Sequence, residues 1–173
     1  MTVLNIVTYP DEQLRTKSKL VTDFQSEEFG CLIEDMADTV TRHQAHGLAA
    51  IQIGVPLRVF CLNTSETGIQ FFVNPEVEEE ACPPKIKFKE GCLSFPGVEE
   101  FVERREDISV TALDESGEEF TMDFYGLESV AIQHEVDHLD GVLFIDRVSP
   151  IKKRYLLKSY RKQQKRLTKE YGR

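Results

Sequence analysis

The sequence is poor in the features that would mark a stapled, membrane-bound or modular protein. Its four cysteines, Cys31, Cys61, Cys82 and Cys92, form no CxxC pair and no dense framework. That argues against disulfide stapling and for reduced thiols. No apolar run approaches the length of a membrane span, and the opening MTVLNIVTYPDEQ lacks the charged leader and apolar stretch of a secretory signal. The expectation is a cytoplasmic protein without a membrane partner. No internal repeat, low-complexity linker or composition break interrupts the 173 residues. They are read as one domain, 1–173, of ordinary globular composition.

Charge is present but unevenly placed. The net charge is −9, yet residues 150–173 hold ten Lys/Arg and one Glu, so the tail carries +9 and the remainder 11 − 29 = −18. A solvated helix explains such a tail, and attraction to a polyanion explains it equally well.

Periodicity supplies the elements. Phe29, Leu32, Ile33, Met36, Ala37 and Val40 recur at helical spacing behind Ser26, predicting a helix over 26–44. Short apolar runs at 48–53, 57–63 and 69–73 read as strands, as does the alternating stretch 85–89. The segments 107–113 and 118–124 flank Asp114-Glu115-Ser116-Gly117 as a hairpin. A helix over 126–139 is closed by Gly141. A last helix opens at Ser149-Pro150, with Ile151, Tyr155, Leu156 and Tyr160 available to pack and its second half solvated. The fold class is α+β: mostly antiparallel strands around a central helix, with a helix in the N-terminal half and a basic C-terminal one.

That central helix carries His134-Glu135-Val136-Asp137-His138. Residues i and i+4 share a helix face, so both imidazoles can grip one cation, while Glu135 on a neighbouring face can act as a general base. Leu127, Val130, Ala131 and His134 fall on one stripe, so the histidines extend an apolar face. Two solvated surface histidines, or two satisfied core histidines, are the bland readings. A catalytic site wants a third protein ligand and an open position, and Cys92 in EGCLSFPG can supply it. As alternatives, Cys92 is a small buried hydrophobe or a nucleophile paired with His134. Glu90 reads as a structural ion pair or an orienter of its loop, and Asp137 as an acceptor behind a ligand. A Cys/His₂ set suits zinc, and also iron, cobalt or nickel.

Three strings, AHGLAAIQIG, EGCLSFPG and QHEVDHLDG, together resemble the peptide deformylase family, and the likeness extends to TYPDEQLR and SPIKKR at the flanks. The resemblance implies removal of formyl from the N-formylmethionine of newly made proteins, with release of formate. It implies one divalent ion per chain, ferrous iron in the cell, held by Cys92, His134 and His138, with zinc, nickel or cobalt as substitutes. It makes Glu135 the base and gives the developing oxyanion to Gln52 and the backbone N–H of Leu93. The other reading of Gln52 is an amide tying two strands together. N-formylmethionyl peptides are then expected against His46, Gly47, Glu90, Gly91, Leu127, Val130 and Ala131, and the charge of the basic tail makes the ribosome, not DNA, its expected partner, with simple solvation as the equal alternative. The first motif departs from the family pattern, with Ala45 in place of a glycine and His46 in place of an aliphatic. A positive φ at Ala45 would cost about 1 kcal/mol. Other readings are a small metallopeptidase, a non-catalytic relative that binds metal or peptide, and a structural metal site.

Overall fold

The computed structural model describes residues 3–78 and 83–171, so Cys82 lies outside the described residues. Helix α1, Glu27–His43, starts where Ser26 Oγ accepts the Phe29 N–H and ends at Gln44, whose φ of 51° is left-handed. Among the described residues seven strands follow: β1 (Gly47–Ala49), β2 (Val59–Thr64), β3 (Gly68–Val77), β4 (Lys85–Gly91), β5 (Glu99–Arg105), β6 (Asp107–Leu113) and β7 (Glu119–Tyr125). Helix α2 spans Gly126–Leu139 and α3 spans Pro150–Tyr171.

All neighbouring strands are antiparallel. Five form a sheet in the order β1-β2-β3-β6-β7, and β4 and β5 form a separate ribbon. The sheet is covered on both faces. Val59 and Cys61 of β2 point to α1, where Phe29, Leu32, Met36 and Val40 meet them; Phe60 and Leu62 point the other way, to Ile132 and Leu139 of α2. Burial on both faces is why β2 reads as an unbroken apolar run. A third core joins the ribbon to α3 through Val98, Val102, Phe95, Phe144, Leu156 and Tyr160.

Three sequence expectations change. The run 48–53 is only partly strand: after β1 the chain winds into a 3₁₀ turn, Ala50–Ile53, with all four residues buried. Strand β5 was hidden because its inward positions are Val102 and Arg104, and a charge at the second breaks the apolar alternation. On α3, Ile151 and Tyr155 are 80% and 73% exposed, and only Leu156 and Tyr160 bury. At about 100° per residue, 156 and 160 share one stripe and 151 and 155 lie on the outer side.

Candidate metal centre

Helix α2 is enclosed on two sides. Ile132, Val136 and Leu139 pack into the sheet, while His134 and His138 face the segment that leaves β4. The histidine stripe is thus distinct from the face that packs on the sheet, although Val130 on it is also buried. One ligand atom from each of Cys92, His134 and His138 lies within 4.8 Å of the others. Cys92 Sγ is 3.2 Å from His138 Nε2. His134 donates from Nδ1 to Glu90 Oε2 at 2.8 Å, which leaves its Nε2 free to ligate.

Without metal the centre holds protons, and a cation binding there displaces them. Burial pulls the imidazole of His134 down, but its hydrogen bonds to Cys92 and Glu90 outweigh this and hold it well above the ordinary range. Burial and the neighbouring His134 hold His138 well below it, a neutral nitrogen donor. Glu135 is buried beside them; burial lifts its carboxyl to about 7, and its Oε2 has no hydrogen-bond partner among the described residues. One soft sulfur, two imidazole nitrogens and a nearby carboxylate make a donor set that fits a divalent transition metal.

Several backbone features make room for this chemistry. A Cβ on Gly47 would sit 2.5 Å from Glu135 Oε1, so only glycine lets β1 approach the carboxylate. Gln52, 2% exposed, accepts the Ala49 N–H on Oε1 at 2.8 Å. Its NH₂ is thereby turned toward Cys92 Sγ at 3.5 Å and Ser94 Oγ at 3.4 Å. The carbonyl oxygen thus closes its own turn and does not tie two strands, and the amide nitrogen faces Cys92. Residues 7–9 hold the two loops together, with Val7 N–H on Gln52 O at 2.7 Å and Tyr9 N–H on Ser94 O at 2.9 Å. Leu93 follows Cys92 in the turn closed by Phe95 N–H to Cys92 O at 2.9 Å.

Placement of the remaining residues is mixed. Glu90, expected against substrate, is buried, with both carboxylate oxygens engaged by Arg104 and His134. Arg104 and the His134 imidazole outweigh burial and bring the Glu90 carboxyl to about 2. Asp137 accepts from Arg104 and Arg147, not from a ligand histidine. Ala45 carries no positive φ; the left-handed residue is Gln44, one position earlier, so the expected strain at Ala45 is absent. His46 is exposed and lines a cavity of about 310 Å³ with Leu62, Tyr125, Leu127 and Ala131. Leu127 is 44% exposed there, and Gly91 is at the solvent end of β4. Arg104 was missed in the sequence, where nothing links an arginine in a ribbon to a histidine 30 positions later.

The sequence model of the family described as polypeptide deformylase matches residues 3–154. A peptide deformylase of Aquifex aeolicus is 42% identical over 165 residues, covering 92% of this chain and 96% of that one. A crystal structure of a peptide deformylase from Legionella pneumophila superposes with a TM-score of 0.85 at 38% identity, covering 95% of this chain and 99% of that one. A peptide deformylase from Ehrlichia chaffeensis, solved in complex with actinonin, gives a TM-score of 0.87 at 34% identity, covering 94% and 98%.

Proposed function

This chain belongs to the peptide deformylase family, metal-dependent hydrolases that remove the formyl group from the N-terminal formylmethionine of new proteins, and from that premise we propose how its own residues divide the work. The observation that carries the reading is the convergence of Cys92, His134 and His138, within 4.8 Å, beside the buried Glu135. Those three residues would hold one divalent ion. Bound there, such an ion supplies Lewis acidity, making water acidic near neutral pH and polarising a carbonyl. Ferrous iron is the ion the family resemblance implies, and the donor set also accepts zinc, nickel or cobalt.

Glu135 takes a proton from the attacking water and passes it to the departing amide nitrogen. Burial at a raised pKa suits a group that must both accept and return a proton. Gln52, with its carbonyl pinned by Ala49, aims its NH₂ at the oxygen that gains charge, and the Leu93 N–H is the second donor. Loss of one such donor typically costs about 2.7–4 kcal/mol. The substrate is an N-formylmethionyl peptide. Its main chain adds to β1, which pairs with β2 alone in the sheet, and runs past Gly47 and Gly91. Leu127, Val130 and Ala131 offer the methionine side chain an apolar wall, and His46 stands at its rim.

A cytoplasmic location is consistent with the absence, among the described residues, of any helix long and apolar enough to cross a membrane. The tail helix is the polyanion contact, with ribosomal RNA or protein as the partner. Arg154, Lys158, Arg161, Lys162 and Lys165 border a groove of about 530 Å³ along α3. Formate release from formyl-Met-Ala-Ser, with casein left uncut, tests the reaction; cleavage inside casein would favour a general peptidase. A wild-type protein as inactive as Glu135→Gln when loaded with iron under anaerobic conditions would favour a non-catalytic binder.

A further inference from the structure

Arg104 sits on β5, 5% exposed, and touches neither the ligand atoms nor the open side of the site. Its guanidinium makes a fork to Glu90, Nε to Oε1 at 2.7 Å and Nη2 to Oε2 at 2.9 Å. Its remaining nitrogen, Nη1, reaches Asp137 Oδ2 at 2.5 Å and Gln133 O at 3.5 Å. Glu90 lies two residues before Cys92 and holds His134 by Nδ1 at 2.8 Å; Asp137 directly precedes His138. One buried cation therefore joins the two segments that carry all three ligands.

We infer that Arg104 is the positioning residue of the metal centre: it sets the separation of the Cys92 segment from α2 and fixes His134 with its Nδ1–H turned to Glu90. This rests on the reading of Cys92, His134 and His138 as ligands. A planar five-donor fork can satisfy two carboxylates on different elements at once, and an ammonium is a single point. Without the guanidinium, Glu90 loses its buried cation and Asp137 keeps only the half-exposed Arg147, and the two carboxylates no longer share a bridge between the strand and helix that must converge. The competing account is that Arg104 only neutralises buried carboxylates for stability. The two accounts differ in whether the ligand geometry changes in a chain that still folds.

The test loads full-length protein with cobalt(II) and reads affinity by competition with a chelator, together with the thiolate-to-cobalt charge-transfer band and the ligand-field spectrum. Wild type, Arg104→Met and Arg104→Lys are compared, with Asp137→Asn as a variant that removes the helix side of the clamp and Arg147→Met as the control for the second ion pair Asp137 loses; denaturation midpoints of the metal-free proteins confirm folding. The expected result is an affinity lowered about 10–100-fold in Arg104→Met, with a shifted ligand-field spectrum and an intermediate loss in Arg104→Lys and Asp137→Asn. KM for formyl-Met-Ala-Ser stays within about threefold, because the peptide surface is untouched. If Arg104→Met does not fold, Arg104→Lys and Asp137→Asn decide. Folded variants that bind cobalt within twofold of wild type with an unchanged spectrum, even at lower melting temperature, would overturn the inference. A wild type with no thiolate band would instead remove the ligand assignment itself, and the inference with it.

Discussion

At the residue scale the site is a compromise between chemistry and stability, and Glu135 shows it. Its folded pKa, about 7, lies above the ordinary 4.5 because burial disfavours the charged form. The folded state thus holds the proton more tightly than the unfolded state. Stability from this group is full below about pH 4.5 and is lost as pH rises through about 7. Metal-free Glu135→Gln should therefore outlast metal-free wild type in urea at pH 8 by about 3 kcal/mol, and the gap should close toward pH 4.5. The same substitution should reduce formate release at least about 10²-fold while the metal stays bound, the size expected of a lost general base. Gly47 offers a second check. A methyl group there meets Glu135 Oε1 at 2.5 Å, so Gly47→Ala displaces the base or the strand. Turnover should fall more than about tenfold with metal content unchanged, and retention of wild-type kcat would mean that β1 and Glu135 can part freely.

At the element scale, how much was legible depended on whether a segment's own residues determined it. Helix α1 was, because its N-cap Ser26 and its apolar stripe are both local. Helix α2 was too, since Gly141 at φ 71° stops it and a Cβ there would strike the backbone of Arg15. Strand β5 was not, because the reason for an inward Arg104 lies on two other elements. The lost half of the 48–53 run shows that apolar runs report burial and not extension: Ala50–Ile53 are buried as a turn so that Gln52 can face Cys92. The grouping of Cys92, His134 and His138 was legible from spacing and motif, but the Arg104 contacts behind it were not. The junction before α3 supplies an electrostatic test. Asp146 binds Arg15 and Lys153, which outweigh the effect of burial and bring its carboxyl to about 2. With a lowered folded pKa, its contribution is present above about pH 3.8 and vanishes as pH falls through about 2. The side chain is 20% exposed, so screening trims the effect. Asp146→Asn should cost about 1 kcal/mol at pH 6 in a chemical denaturation curve and almost nothing at pH 2. A cost that persists unchanged at pH 2 would point to packing and not to charge.

At the scale of the whole molecule, a sheet covered by α1 on one face and α2 on the other fixes the helix that carries His134 and His138, and the ribbon β4–β5 brings Cys92 to them. The acidic body and basic tail are separate in function on this account. Replacing Lys158, Lys162 and Lys165 by Glu should weaken binding to ribosomal RNA and flatten its dependence on log salt concentration. Formate release from a short peptide should stay within about twofold. Equal RNA binding by the substituted chain would leave the tail as a solvated helix. The claim beneath all of this is that one cation, held by Cys92, His134 and His138, makes the chain a hydrolase. An anaerobic chelator titration that follows metal per chain and formate release together tests it most directly. The two should fall in step and return with one equivalent of ferrous iron, and Cys92→Ala should hold neither metal nor activity. Undiminished formate release from metal-depleted protein, or full activity in Cys92→Ala, would contradict it.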